Sequence, residues 1–321
     1  MGIFLHILIN NIIPISILVT FGYVMNQKFD LDINTLSKLN LYLFVPAFTF
    51  VNLYTTKIPR EMAKILISAF LIIFIYAFLA FFISKARGYE DGLKGAFANS
   101  VQFSNVGNIG IPLITLVFSS PPFVINGETP YLGLALTTQV MILVCQNISI
   151  NTIGFLNAGR ANMEWKESIF KILKMPTIYM VITAIYLKTL SIDMTQTFIW
   201  PPLDYARNAL VPVALISLGV QLSKTKFDLK NKEVYLAVLT RLLVGPILAV
   251  LFIRVFNIGG IMAQVFVIAM ALPSAVNCVL IAVEFDNYPN FTSQVVMVST
   301  LFSAVTLVVV IYMARIFFPV L

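Results

Sequence analysis

Asn99-Ser-Val-Gln-Phe-Ser-Asn-Val-Gly-Asn-Ile-Gly-Ile-Pro112 interrupts an otherwise apolar run. Within it stand three Asn, one Gln, two Gly and a Pro. Proline lacks the amide hydrogen and collides with the carbonyl four residues back. Gly107 and Gly110 permit backbone angles closed to other residues. The spacing therefore predicts a helix broken around Gly107, Gly110 and Pro112, with Asn105 and Asn108 placed either to satisfy freed backbone groups or to hold a ligand. A weaker echo, Ala271-Leu-Pro-Ser-Ala-Val-Asn277, predicts a second break at Pro273.

The surrounding chain says what solvent these breaks sit in. Of 321 residues 59% are hydrophobic and 11% charged, against about a quarter charged in soluble domains. The mean hydropathy is +0.93. So much apolar surface calls for lipid, where every backbone polar group must be paired internally by helices or a closed barrel. Long apolar runs with abrupt polar breaks, rather than alternating ten-residue segments, select an all-α polytopic membrane protein.

A span needs about 20 apolar residues. Ten transmembrane helices are expected, at 3–25, 36–54, 62–84, 95–118, 131–155, 171–190, 203–222, 234–255, 261–283 and 293–318. Lys188 makes the sixth the weakest. The first run lacks the basic flank and cleavage site of a signal peptide. Cys145 and Cys278 fall in apolar runs and form neither a disulfide framework nor a metal spacing.

The polar stretch from 157 to 170 divides the chain into halves, 1–156 and 171–321. Pro14 corresponds to Pro176, Val45-Pro46 to Val211-Pro212, and Asn108 to Asn277. Five spans per half force the second copy to be inverted, a 5+5 inverted repeat with broken crossing helices 4 and 9. Such repeats point to a transporter with its site at the midplane. Of the 21 Lys and Arg, thirteen fall on the linker's side and seven on the termini's side, Arg241 set aside. The positive-inside rule then puts both termini outside.

Two half-helix N-termini meeting at a crossing offer partial positive charge and free amides, which suit an anion. The plainer reading is a pair of kinks with Asn and Ser capping their own backbone. Asn105, Asn108, Ser274 and Asn277 are the candidate carboxylate binders, with Gln102, Gln146 and Asn147 lining the cavity. Amides such as Gln146 and Asn147 also serve as glue between helices. Asn52 and Gln221 read as solvated span ends, and Arg241 as a snorkelling or ion-paired cation. Glu284 and Asp286 read as a solvated loop end, and His6 as an interface residue.

No G-x-x-x-x-G-K-[ST] cradle suggests an ATP-driven pump, and no H-E-x-x-H a metalloenzyme. Neither a cofactor nor a metal site is expected. The net charge of +7 reflects basic loops rather than nucleic-acid binding. Rival readings are a sodium-coupled symporter for bulkier amphipathic acids, an intramembrane transferase and a non-transporting receptor.

Asn105 followed by Gly110-Ile-Pro-Leu113, the Ala271–Asn277 run, Leu210-Val-Pro212 leading to Leu218-Gly219, and Val298-Ser-Thr-Leu301 together resemble the auxin efflux carrier family. That family includes plant PIN-type auxin exporters and bacterial malate permease-like proteins. The resemblance covers nearly the whole chain. It implies a fold similar to bile-acid sodium symporters, with spans 1, 2, 6 and 7 as scaffold and spans 3–5 and 8–10 as transport domain. It also implies elevator-type alternating access in the plasma or inner membrane. Asn105 matches the family's carboxylate-contacting Asn, and Gln146 a supporting residue. Cys278 stands where plant members have Pro, a departure that weighs against auxin itself; the expected cargo is a mono- or dicarboxylate, a malate-like or auxin-like weak acid. The expected partners are a small organic anion, membrane lipid and a coupling proton or sodium ion. A homodimer would form through the scaffold helices.

Overall fold

The computed structural model describes residues 2–159, 174–190, 193–225 and 230–320. Among them regular structure is helical, apart from two isolated antiparallel bridges, Ser104 with Ser274 and Ile125 with Glu128. Seven helices are long and apolar enough to cross a bilayer: α1 (Phe4–Phe29), α2 (Ile33–Thr55), α3 (Met62–Arg87), α6 (Leu132–Asn157), α8 (Trp200–Lys224), α9 (Lys232–Phe256) and α12 (Pro289–Phe317). The chain is a polytopic helical membrane protein.

The expected fourth and ninth spans each appear as two helices. Asp91–Gln102 (α4) is followed by Val106–Phe118 (α5). Gly260–Met270 (α10) is followed by Asn277–Glu284 (α11). The expected sixth span appears as α7, Pro176–Thr189. Its 14 residues rise about 21 Å, short of a core of about 30 Å. The expected start of that span at 171 and most of the linker at 157–170 lie outside the described residues, as do Arg160, Lys166, Lys171 and Lys226. Lys188, the residue that weakened this span, donates to the carbonyls of Leu53 and Thr56 that end α2.

Several helices relax into one wide π turn just ahead of a proline. The turns Leu8–Ile12, Asn40–Phe44, Val106–Gly110 and Thr240–Val244 stop two residues before Pro14, Pro46, Pro112 and Pro246. An i→i+5 winding moves the carbonyl that the pyrrolidine ring would strike and spares the missing amide. The helices thus carry proline without breaking.

Two sets of helices emerge from the packing. α1, α2, α7 and α8 pack on one another, and α3–α6 pack with α9–α12. The sets touch where α8 meets the start of α5, where α2 meets α6, and where the N-terminal part of α1 meets α5 and α12. α1 and α8 cross closely because each offers a glycine to the other's backbone. A Cβ on Gly22 would stand 2.1 Å from the Ile216 carbonyl oxygen, and one on Gly219 2.0 Å from that of Val19. Small residues allow such approach where lipid offers no hydrophobic drive between helices. The exterior is apolar, with Phe78, Phe82, Ile182, Ile247 and Val305 exposed, while amides and hydroxyls populate the interior.

The span ends on the linker's side, where most Lys and Arg of the sequence fall, are here called the basic face, and several acids there are paired. Lys224 donates to the Asp30 carboxylate at 3.2 Å and to the Leu31 carbonyl at 2.9 Å. Glu233 at the start of α9 receives Arg87 and Tyr89, and Tyr288 reaches Glu90.

Candidate functional site

Between α4 and α5 the chain runs extended through Phe103, Ser104 and Asn105, and between α10 and α11 it does so around Pro273 and Ser274. The two segments cross antiparallel. The Asn105 amide donates to the Pro273 carbonyl at 2.8 Å, and the Ala275 amide to the Phe103 carbonyl at 2.9 Å. Chain that would otherwise leave backbone groups unpaired in the protein interior thus pairs with its counterpart.

The break falls earlier than the glycines suggested. Gly107 and Gly110 have negative φ and lie within the π turn that opens α5, and Pro112 sits at the first turn of the following α-helix. The glycines serve through what they lack. A Cβ on Gly110 would stand 2.2 Å from Gln139 Nε2 and 2.8 Å from Leu272 Cδ1, whereas one on Gly107 meets only Leu143 Cδ1 at 3.6 Å. Pro273 does lie in its break.

Two half-helices end at the crossing, α4 and α10, and two begin there, α5 and α11. The ends and the beginnings are treated differently. Arg241 on α9 is fully buried. Its guanidinium donates to the Val101 carbonyl at 3.0 Å, to Met270 at 2.5 Å and to Leu272 at 3.2 Å. Those oxygens carry the negative end of each half-helix dipole. The guanidinium lies over the Tyr76 ring, 4.8 Å from its centroid. Arg241 therefore neither snorkels to the surface nor pairs with Glu284 or Asp286, both of which are exposed. The polarity of its carbonyl partners is what holds it inside.

The beginnings face a cavity of about 60 Å³ lined by Asn105, Gly107 and Asn108 at the start of α5 and by Ala275, Val276 and Asn277 leading into α11. The α5 N-terminus is capped once: Asn105 Oδ1 accepts from the Asn108 amide at 3.2 Å. α11 has no side-chain cap. Asn105 Nδ2 is buried without a partner among the described residues, and the residue is 4% exposed. Gln146 and Asn147 close the wall from α6. Gln146 Nε2 reaches Ser104 Oγ at 3.4 Å, and its Oε1 has no partner. None of the lining residues is ionisable. The cavity offers donors and helix N-termini, with no fixed negative charge to oppose an anion.

Two expected site residues stand behind this wall. Ser274 is fully buried, donating through Oγ to the Ser100 carbonyl at 2.6 Å and through its amide to Ser299 Oγ at 3.1 Å. Gln102 donates to the Ile73 carbonyl at 3.3 Å and accepts from Asn157 Nδ2 at 2.6 Å. Both brace the broken ends rather than line the cavity.

The opposite wall was not foreseen. Ser37 and Asn40 of α2 and Ser217 and Gln221 of α8 line it, with Asn40 Nδ2 3.3 Å from Ser217 Oγ. Gln221 is thus a cavity residue rather than a solvated span end, and Asn52 is buried, bonded to the Phe48 carbonyl of its own helix. Gln221, a polar residue near the end of span 7, was the available signal. From this wall a wider vestibule of about 630 Å³, lined by Gln221, Lys224, Asn290 and Gln294, leads to the basic face.

The profile of the family described as membrane transport protein matches residues 7–172 and 165–311. Over 305 residues the chain is 23% identical to an uncharacterized transporter of Methanothermobacter thermautotrophicus, covering 92% of this chain and 95% of that protein. A match running through both broken regions makes this chain a member of the membrane transport protein family, the auxin efflux carrier family, and so a multi-pass membrane transporter rather than an enzyme.

Proposed function

We propose that the chain is a secondary transporter that carries a small organic anion, a mono- or dicarboxylate of the malate class, through the crossing of its broken helices. One observation carries this reading: two half-helix N-termini and an unpartnered buried amide, Asn105 Nδ2, meet in a cavity that has no ionised wall. The carboxylate lies against the amides opening α5 and α11, with Asn108, Asn147 and Asn277 as further donors. Space limits the cargo. A water needs about 10–15 Å³, so about 60 Å³ has room for about four to six waters. That suits a short carboxylate and not a bulky amphipathic acid.

Around this site we place ten spans in a 5+5 inverted repeat, both termini outside, with the basic face in the cytoplasm. The short α7 is counted as the sixth span. α1, α2, α7 and α8 form the scaffold and supply a homodimer face. α3–α6 and α9–α12 form the transport domain that slides past it as an elevator. The vestibule on the basic face makes this the inward-open state.

The test is a thermal-shift panel on purified protein with malate, succinate, acetate and indole-3-acetate beside neutral and cationic solutes, followed by counterflow of the labelled hit in proteoliposomes. At least one carboxylate is expected to stabilise the protein saturably and to exchange across the membrane. Stabilisation by neutral or cationic solutes alone sinks the anion reading, and binding without counterflow sinks transport of that acid.

A further inference from the structure

Arg241 is the largest wholly buried side chain in the described structure, and no carboxylate balances it. Its guanidinium hydrogen bonds all go to backbone oxygens: Val101 in the last turn of α4, Met270 at the end of α10, and Leu272 just beyond. Oxygens at the C-terminal ends of broken membrane helices are the usual ligands of an alkali cation. Here oxygens from both breaks converge on one point, and a guanidinium already occupies it. The site is also built for that occupant. Tyr76 covers one face of the guanidinium, and its hydroxyl donates to the Arg241 carbonyl at 3.1 Å. Gly245 lets α9 approach closely enough, since a Cβ there would stand 2.0 Å from the Met270 oxygen and 3.0 Å from Arg241 Nη2.

We infer that Arg241 is a resident counter-cation: it holds the oxygens that a metal ion would otherwise bind, and so lets the anion site operate without sodium or another alkali cation. The inference rests on the crossing being the anion site. With both negative half-helix ends neutralised by one fixed charge, the positive ends of α5 and α11 face the cavity unopposed. Arg241 does not line the cavity. It is a positioning residue that acts through the helix ends and through its field.

The first arm of the test needs no substrate. Wild-type thermal stability is measured in sodium, potassium and choline chloride at equal ionic strength, and the three are expected to agree. Arg241→Ala is expected to melt lower in choline and to recover, saturably, with sodium or low-millimolar guanidinium. Specific stabilisation of the wild type by sodium overturns the inference, and so does an Arg241→Ala protein indifferent to every cation. If Arg241→Ala does not fold, Arg241→Lys takes its place. A lysine reaches fewer of the three oxygens, so that variant is expected to gain from guanidinium, and no gain overturns the inference. The second arm compares malate uptake into proteoliposomes in sodium and in choline, where equal rates are expected and a requirement for sodium overturns. Arg241→Gln is expected to weaken malate about tenfold or more, the order of a unit charge acting across a protein interior, and undiminished affinity counts against the field. Should no carboxylate bind in any salt, the proposed function fails, while the cation arm still decides the role of Arg241.

Discussion

Asn105 divides one amide between two tasks. Its oxygen caps the Asn108 amide, and its nitrogen has no partner among the described residues. Two substitutions separate these tasks. Asn105→Asp keeps an acceptor for the cap and replaces the free donor by a negative charge, so thermal stability is expected to hold while carboxylate binding disappears. Asn105→Ala loses both, with a cap cost of about 1 kcal/mol in addition to weaker binding. Equal carboxylate affinity in wild type and Asn105→Asp would remove Asn105 from the site. The glycines offer a similar contrast. Gly110→Ala drives a methyl into Gln139 and Leu272 and is expected to cost about 1–3 kcal/mol as overpacking, read as a lower unfolding temperature. Gly107→Ala finds only ordinary contact and is expected to fold normally with altered uptake. Asn105 and Asn108 were legible because amides are costly in an apolar run. Ser274 and Gln102 were equally visible, but their orientation depends on Ser100, Ser299 and Asn157, distant partners that local sequence does not announce.

Among the elements, proline was legible and its consequence was not. Pro112 read as a helix breaker, yet the structure absorbs it in a π turn and places the break at Phe103–Asn105. What opens the chain is its pairing with Pro273 and Ala275, a tertiary contact. The π turns ahead of Pro14, Pro46 and Pro246 follow the same local rule, so proline within a span marks a wide turn more reliably than an interruption. Span counting succeeded for the continuous helices because hydropathy accumulates along their length. The close crossing of α1 and α8 belongs to this scale too. Gly219→Leu would push against the Val19 carbonyl and separate the two helices, and an overpacking cost of about 1–3 kcal/mol is expected as lower thermal stability. An unchanged melt would contradict the crossing. At the start of α2, Asp32 accepts from the Asn34 and Thr35 amides. Chiefly through the Thr35 hydroxyl, its carboxyl is held below the ordinary carboxylate range. A depressed value means that this capping contribution is present above the ordinary range and lost as pH falls through the lowered value. Asp32→Ala should therefore flatten that part of the acid-side stability profile.

For the whole molecule, the proposed access route is the vestibule lined by Gln221, Lys224, Asn290 and Gln294. Cys145 and Cys278 are 1% and 0% exposed, so a cysteine introduced at Asn290 reports alone. In the proposed orientation Asn290→Cys is labelled by an impermeant thiol reagent in inside-out vesicles and spared in right-side-out ones. The reverse pattern would invert the topology. The polar stretch and the matched prolines suggested two halves, whereas the grouping of helices followed only from the family resemblance, because it joins elements from opposite ends of the chain. The unionised cavity wall has a practical consequence. Nothing lining the site changes protonation between mildly acidic and mildly alkaline solution, so the pH curve of uptake will trace the ionisation of the cargo itself. Each inflection should coincide with an acid constant of the carried molecule, and the curve becomes a fingerprint by which an unknown substrate can be picked out of a mixture.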